Sequence, residues 1–314
     1  MADIVITEFM DDDLAHDLAR THEVLYDKTL VDRPEDLLAA ARGCRALVVR
    51  NRTRVDAALL DQCPKLKVIG RLGVGLERID LEACAARGVV VCPARGANAV
   101  AVAEYVISAV LTLFRGTHDV TTRVIAGEWP RESLAGREAD GRVLGLVGVG
   151  DIARAVAARA GALGMRLQAH DPYVAADDPV WRTLNVDNVA LDPLLAESDV
   201  VSLHVPLTDE TRGLIDAAAL ARMKPDALLI NTTRGGTVDE AALVAALKEG
   251  RLGGAALDVF AEEPLTAAAG AKFRDVPNLI LTPHIAGVTE ESNRRISEVT
   301  IANVLKVLDA GAAP

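Results

Sequence analysis

From Ile4 to Leu281 the chain alternates short β-branched runs with amphipathic segments. Strands joined by helical crossovers pack as parallel sheets covered on both faces, so this alternation makes the fold class α/β. In the first hundred residues the runs Ile4–Thr7, Ala46–Val49, Lys67–Gly70 and Val89–Val91 read as strands. Helices between them are signalled by Asp11 to Asp13, by Pro34 followed by Glu35 and Asp36, and by the apolar spacing of Leu81, Cys84 and Ala85. A second series, Val143–Val147, Arg166–Ala169, Val200–Leu203, Leu228–Asn231, Ala255–Leu257 and Leu279–Leu281, reads as one open, doubly wound sheet. Between the two series, the Ala- and Val-rich segment Ala99 to Arg115 predicts a long helix that carries the chain from one domain into the next. A last helix, Glu290 to Leu308, has no strand after it, and the sequence leaves open which domain it docks on.

With 314 residues, the chain exceeds the usual size of a single core, and two domains are expected. Its formal charge is −11, and no stretch gathers Lys and Arg into a patch that would neutralise a polymer of phosphates. Nucleic acid is therefore not an expected partner. The acidic start MADIVITEFMDDD lacks the basic-then-apolar order of a secretion signal. Ala99 to Phe114 is interrupted by Glu104 and is shorter than the roughly 20 residues of a bilayer span, so neither membrane association nor export is expected and a cytoplasmic location is. Cys44, Cys63, Cys84 and Cys92 lack the close spacing of a zinc or redox motif and read as free thiols in apolar patterns, with no metal expected.

The strongest local signal is Val143-Leu-Gly-Leu-Val-Gly148-Val-Gly150-Asp151-Ile152-Ala153, a strand entering a Gly-x-Gly-x-x-Ala turn and then a helix. Gly148 permits the tight turn, Gly150 removes the side chain that would block a pyrophosphate, and small Ala153 lets helix and strand pack closely. The first amides of the helix, at Asp151 and Ile152, offer unpaired donors and a positive dipole end to phosphates. The next strand ends in His170-Asp171-Pro172, which places a carboxylate 21 residues beyond Gly150. Such a group accepts from ribose hydroxyls and repels a 2′-phosphate, which favours NAD over NADP. A second candidate loop, Gly73-Val74-Gly75, carries Arg78 where a small residue would be required and is set aside as a dinucleotide site. Its amides could instead cup a carboxylate, which makes Leu72, Gly73 and Val74 candidate substrate contacts. A plain strand-to-helix turn fits the same residues equally well.

Three later strands each run into a titratable or cationic residue: Ile230-Asn-Thr-Thr-Arg234-Gly-Gly, Leu257-Asp258-Val-Phe-Ala-Glu262-Glu263-Pro264 and Leu281-Thr-Pro-His284. Ligands of open α/β sheets bind at such carboxyl ends. Oxidising an alcohol requires a base, a partner that tunes it and a cation beside the reacting carbon, and His284, Glu263 and Arg234 supply these types. Taken singly, each has an ordinary reading as a loop imidazole, a surface charge before proline and a solvated arginine.

Together with Ile69-Gly-Arg-Leu-Gly-Val-Gly, Ser202-Leu-His-Val-Pro-Leu-Thr and Asn231-Thr-Thr-Arg-Gly-Gly, these motifs make the chain resemble the D-2-hydroxyacid dehydrogenases, the phosphoglycerate dehydrogenases among them, over nearly all its length. The resemblance implies a Rossmann cofactor domain, residues 99–285, inserted in a flavodoxin-like substrate domain formed by residues 1–98 and 286–314. It also implies a homodimer built largely on the cofactor domain. In these terms Arg234 binds the substrate carboxylate and polarises the keto oxygen, His284 exchanges the proton, and Glu263 pairs with His284. Asp258, Thr232 and Thr233 would hold the nicotinamide end, Val205 and Pro206 would line the cofactor cleft, and Gly287 closes the set of cofactor contacts. Two departures stand out. His170-Asp171 replaces the Tyr-Asp more usual in relatives, and the chain ends at Pro314 with no appended regulatory domain, so feedback inhibition is not expected.

In relatives, the loop Arg50-Asn51-Arg52 faces the far end of the substrate, and with Arg71 nearby it is unusually basic here. A solvated loop is the ordinary reading; the functional one is a second anionic group on the substrate, as in 3-phosphoglycerate or in 3-sulfolactate, the latter in resemblance to the sulfolactate dehydrogenases. Two other activities share the fold: an NADH-sensing corepressor, which shares even the catalytic residues but usually carries long flanking extensions, and formate dehydrogenase, which places an uncharged amide where Glu263 stands.

Overall fold

The computed structural model describes residues 2–117 and 120–310. The tail beyond 310, part of the expected substrate domain, lies outside the described residues, as does residue 1. Within them the chain forms two compact units, one running up to Asn98 and resuming at Val288, the other spanning Ala99–Gly287. The second crossover falls two residues later than the 285/286 boundary expected from sequence. The reason is local: the N–H groups of Ile285 and Ala286 donate to the Asp258 carboxylate, both at 2.8 Å, which ties them to the cofactor unit.

In the first unit, strands β1 (Ile4–Ile6), β2 (Val24–Tyr26), β3 (Ala46–Val49), β4 (Val68–Arg71) and β5 (Val90–Pro93) form a parallel sheet in the order β2-β1-β3-β4-β5. That is the flavodoxin-like order, with its switch point between β1 and β3. The helix Glu290–Ala310 belongs to this unit, which resolves what the sequence left open. Its buried Ile296, Val304 and Leu308 share a core with Ile4, Ile6, Val48 and Val68. Gly70 on β4 makes room for it, because a Cβ there would lie 2.6 Å from Val304 Cγ2.

In the second unit, β6 (Val143–Val147), β7 (Arg166–His170), β8 (Asp187–Asn188), β9 (Val200–Leu203), β10 (Leu228–Asn231), β11 (Gly254–Leu257) and β12 (Leu279–Leu281) are all parallel, in the order β12-β11-β10-β9-β6-β7-β8. This is a Rossmann sheet, with its switch point between β6 and β9. One face is covered by the helices Ala99–Arg115 and Asp151–Ala162, whose fully buried Ala103, Ala153 and Ala160 let backbones approach closely. The other face is closed by a cluster that includes Leu194, Leu220 and Leu243. Strand register then does something important for chemistry. His170, Val147, Leu203, Asn231, Leu257 and Leu281 lie level across six strands. The residues one step beyond them, Asp171, Gly148, His204, Thr232, Asp258 and Thr282, therefore form a single row along the carboxyl edge.

The sequence did not reveal β2 or β8, both short edge strands. Cys44, Cys63 and Cys84 are buried and Cys92 is half-buried, all as free thiols, with desolvation pushing Cys44 up to about 12. Among the described residues no helix is long and apolar enough to cross a membrane.

Candidate active site

The glycine turn lies in this row between Asp171 and His204. Gly148 has φ +96°, and a Cβ there would lie 2.6 Å from the His204 carbonyl oxygen and 3.2 Å from Val205 Cγ1, so only glycine fits. Gly150 caps the helix Asp151–Ala162, and a Cβ built on it meets nothing within 4 Å. The protein itself does not require that glycine; the open space beside a helix N-terminus suits a diphosphate, and the turn fits a dinucleotide. Ile152 is half-buried, Asp151 is exposed and Pro206 lies exposed beyond Val205. Asp171 has a task that sequence did not announce: Oδ2 accepts the Val149 N–H at 2.9 Å and Oδ1 the Tyr173 N–H at 3.0 Å. Each oxygen keeps a further lone pair for a ribose hydroxyl.

Two strands along, fully buried Asn231 organises the loop that carries Arg234. Its Oδ1 accepts from Thr233 N at 3.0 Å and Thr233 Oγ1 at 2.7 Å, while Nδ2 donates to the Arg234 carbonyl at 3.1 Å. The Arg234 guanidinium donates from Nη1 to the Thr233 carbonyl at 2.7 Å. The loop lies directly on the one after β11: a Cβ on Gly235 would come within 1.8 Å of the Phe260 carbonyl carbon. Glu263 pins that second loop, its Oε1 accepting the Phe260 N–H at 2.9 Å, and the peptide between Glu263 and Pro264 is cis.

The other oxygen of Glu263 meets His284 Nδ1 at 2.7 Å. An ionised carboxylate only accepts, so Nδ1 carries the hydrogen and Nε2 is the nitrogen left to exchange a proton. His284 is itself held in a left-handed conformation, φ +56°, with its N–H shared between the carbonyls of Asp258 and Thr282. Asp258, 1% exposed, stabilises this turn: Oδ1 accepts from Thr282 Oγ1 at 2.6 Å and Ile285 N, and Oδ2 from Ala286 N. Three of its four lone-pair positions are thus spent inside the protein, and its expected contact with the nicotinamide end is left to the fourth. Tyr105, from the helix Ala99–Arg115, completes the chain with its hydroxyl 2.6 Å from Thr282 Oγ1. Asn231, Thr282 and Tyr105 were absent from the sequence-based site.

Two buried polar atoms in the row have no hydrogen-bond partner among the described residues, His204 Nδ1 and Thr232 Oγ1. The His204 Nε2 lies 3.0 Å from Ser202 Oγ. Its Nδ1 is fully covered although the residue keeps some exposure, and desolvation pushes the imidazole down to about 3, so it is neutral. Buried polar groups without partners inside the protein are the ones that a ligand amide or hydroxyl would satisfy.

The loops expected to meet the substrate belong to the first unit. Leu72 departs from expectation: its side chain is in the core, and its N–H donates to Val49 O at 2.8 Å. The Gly73 N–H is likewise spent on Arg71 O, and the Arg71 guanidinium bonds the carbonyls of Leu72 and Gly75, so of the three residues Val74 presents the exposed side chain. The Arg50 guanidinium lies over the Phe9 ring and donates to Asn293 Oδ1 at 2.8 Å and Phe9 O at 3.2 Å. Arg52 is paired with Asp32, and Asn51 is exposed.

Residues 107–286 match the family model described as D-isomer specific 2-hydroxyacid dehydrogenase, NAD binding domain. The chain is similar to the (S)-sulfolactate dehydrogenase of Chromohalobacter salexigens, 54% identical over 312 residues that cover 99% of this chain and 100% of that one. It is also similar to the D-3-phosphoglycerate dehydrogenase of Mycobacterium leprae, 41% identical over 267 residues, 84% of this chain but 50% of that protein. Among solved structures, the TT0316 protein from Thermus thermophilus matches with a TM-score of 0.87 at 36% identity, covering 98% of this chain and 97% of that one.

Proposed function

The chain belongs to the D-isomer specific 2-hydroxyacid dehydrogenases and is an NAD-dependent oxidoreductase, and we propose that its substrate is a small 2-hydroxy acid with a second anionic group, 3-sulfolactate in particular. The observation that carries the choice is the pair of guanidinium side chains, Arg50 and Arg52, on one loop of the first unit. The (S) label of the sulfolactate relative agrees with a D-specific site. A sulfonate-bearing carbon outranks the carboxyl group in the naming rules, so (S)-3-sulfolactate has the spatial arrangement of a D-hydroxy acid.

In this reading Arg234 grips the substrate carboxylate through a planar fork that a lysine cannot reproduce. During oxidation His284 Nε2 takes the hydroxyl proton, and during reduction it returns one to the keto oxygen. Glu263 holds the Nδ1–H and thereby keeps Nε2 correctly aimed and available. Gly148, Gly150, the amides of Asp151 and Ile152, and Asp171 would hold NAD, which would supply a hydride acceptor for C2 in oxidation and a hydride donor in reduction. Val205, Pro206, Thr232, Thr233, Asp258 and Gly287 bound the nicotinamide side. The carboxylate of Glu263 on His284 disfavours formate dehydrogenase, and turnover of 2-keto acids with NADH separates an enzyme from a pure NADH sensor. The decisive test is a steady-state panel of 2-keto acids with NADH that includes 3-sulfopyruvate, 3-phosphohydroxypyruvate and pyruvate. A preference of kcat/KM for pyruvate over both doubly charged acids would refute the proposal.

The enzyme works as a cytoplasmic homodimer formed through the cofactor unit. Ile125 and Trp129, four positions apart in that unit, are 81% and 80% exposed, and a second copy would cover them. Sedimentation of wild type against Trp129→Glu checks this, with a monomeric wild type as the contrary result.

A further inference from the structure

The first sheet has its own switch point between β1 and β3, the place where doubly wound sheets ordinarily bind ligands. Four consecutive amides converge there, those of Arg50, Asn51, Arg52 and Thr53, in the arrangement that elsewhere cups an oxyanion. Here they hold a carboxylate of the protein itself. Glu8 Oε1 accepts from Arg50 N and Thr53 N, both at 2.9 Å, and Oε2 from Asn51 N at 3.2 Å and Arg52 N at 2.9 Å. All four lone-pair positions of the carboxylate are filled, and the side chain is 3% exposed. Behind it, buried Thr7 and Thr53 join hydroxyls at 2.8 Å. The amides of this loop are consequently closed to an anionic substrate, and its side chains are what it can present.

We propose that Glu8 is the positioning residue for recognition of the substrate's distal anion: as resident anion of the switch-point nest, it fixes residues 50–53 so that guanidinium groups, and no backbone amides, meet that anion. The inference rests on the doubly charged substrate argued above. It explains two arrangements that otherwise have no common cause. Arg50 is immobilised by Phe9 O and Asn293 Oδ1, in the segment directly after Glu8 and on the helix Glu290–Ala310. Arg52, whose amide Glu8 holds, extends to the exposed carboxylate of Asp32, a partner that an incoming sulfonate or phosphate can displace. Burial alone would raise the Glu8 carboxyl, but the hydrogen bonds from Thr53, Arg50 and Arg52 outweigh it and hold the group below its ordinary value, so it is charged when the enzyme works.

The test uses the full-length enzyme with Glu8→Ala and Glu8→Gln, each checked for folding by thermal unfolding and, for the other unit, by NADH titration. Two quantities are measured: hydrogen exchange of the amides 50–53, and KM and kcat with 3-sulfopyruvate and with pyruvate. Removing the resident anion should speed exchange of the four amides and raise KM for sulfopyruvate by about tenfold or more, the size of a lost charge-assisted contact, with kcat and the pyruvate constants nearly unmoved. Formate, small enough to enter the vacated nest, should restore both the slow exchange and the low KM in Glu8→Ala while leaving wild type unaffected. Unchanged exchange, no rescue by formate, or equal losses on both substrates would each overturn the role of Glu8. A wild type that does not prefer sulfopyruvate would instead refute the doubly charged substrate, whatever the exchange data show.

Discussion

The Asp171 carboxylate accepts the Val149 N–H at 2.9 Å, joining the acidic residue after β7 to the glycine turn after β6. Asp171 thus braces the glycine turn, and in the proposed reading it faces the ribose as well. Asp171→Ala should weaken NADH binding about 10- to 100-fold, the range of one or two lost bonds to a charged group, and should weaken NADPH binding less. Fluorescence titration of both cofactors reads the ratio, and an unchanged preference would refute the assignment.

Gly235 lies against the Phe260 peptide so closely that any side chain must push the Arg234 and Glu263 loops apart. Gly235→Ala should lower stability by roughly 1–3 kcal/mol, as overpacking does, and should reduce kcat/KM much more than NADH affinity. Thermal unfolding together with cofactor titration separates the two effects; full activity in this variant would show that the loops are not coupled.

His204 is neutral in the folded protein, held at about 3 against an ordinary 6.5. The unfolded chain binds its proton as pH falls through 6.5, whereas the folded chain does so only near 3, so this residue costs stability progressively across that window. Its burial is fully tolerated above 6.5. Relative to His204→Gln, wild type should lose melting temperature as pH falls from 7.5 towards 4.5. Parallel curves for the two proteins would contradict the burial of a neutral ring.

What could be read from sequence was what the backbone orders locally. The Gly148–Gly150 turn and Asp171 follow their strands directly, Arg234 and His284 come three residues after theirs, and strand register brings these strand ends to one edge. Residues whose roles depend on distant partners were not legible: Glu8 meets a loop more than 40 positions away, and Tyr105 meets Thr282 across 177. Nothing near Tyr105 in its apolar helix marks it as polar support for a turn. The edge strands Val24–Tyr26 and Asp187–Asn188 escaped for another reason. Val24–Tyr26 is only three residues long, and Asp187–Asn188 is two exposed polar residues, so neither offers a run long enough to show a period. Leu72 was misplaced because a motif gives backbone position without revealing which way the side chain turns.

The central claim is that His284 moves the proton while Glu263 fixes its tautomer, and it is tested most directly by the pH dependence of kcat in both directions. Oxidation requires an unprotonated Nε2 and reduction a protonated one, so the two rates should slope oppositely with pH around one shared group. In His284→Ala both slopes should vanish and kcat should fall about 10²–10⁴-fold, with NADH affinity kept by the intact glycine turn and Asp171. Glu263→Gln, which can turn its amide and donate to Nδ1, should lower kcat in both directions while leaving NADH affinity in place. Near-normal turnover in His284→Ala, or slopes of the same sign in the wild-type enzyme, would contradict the account.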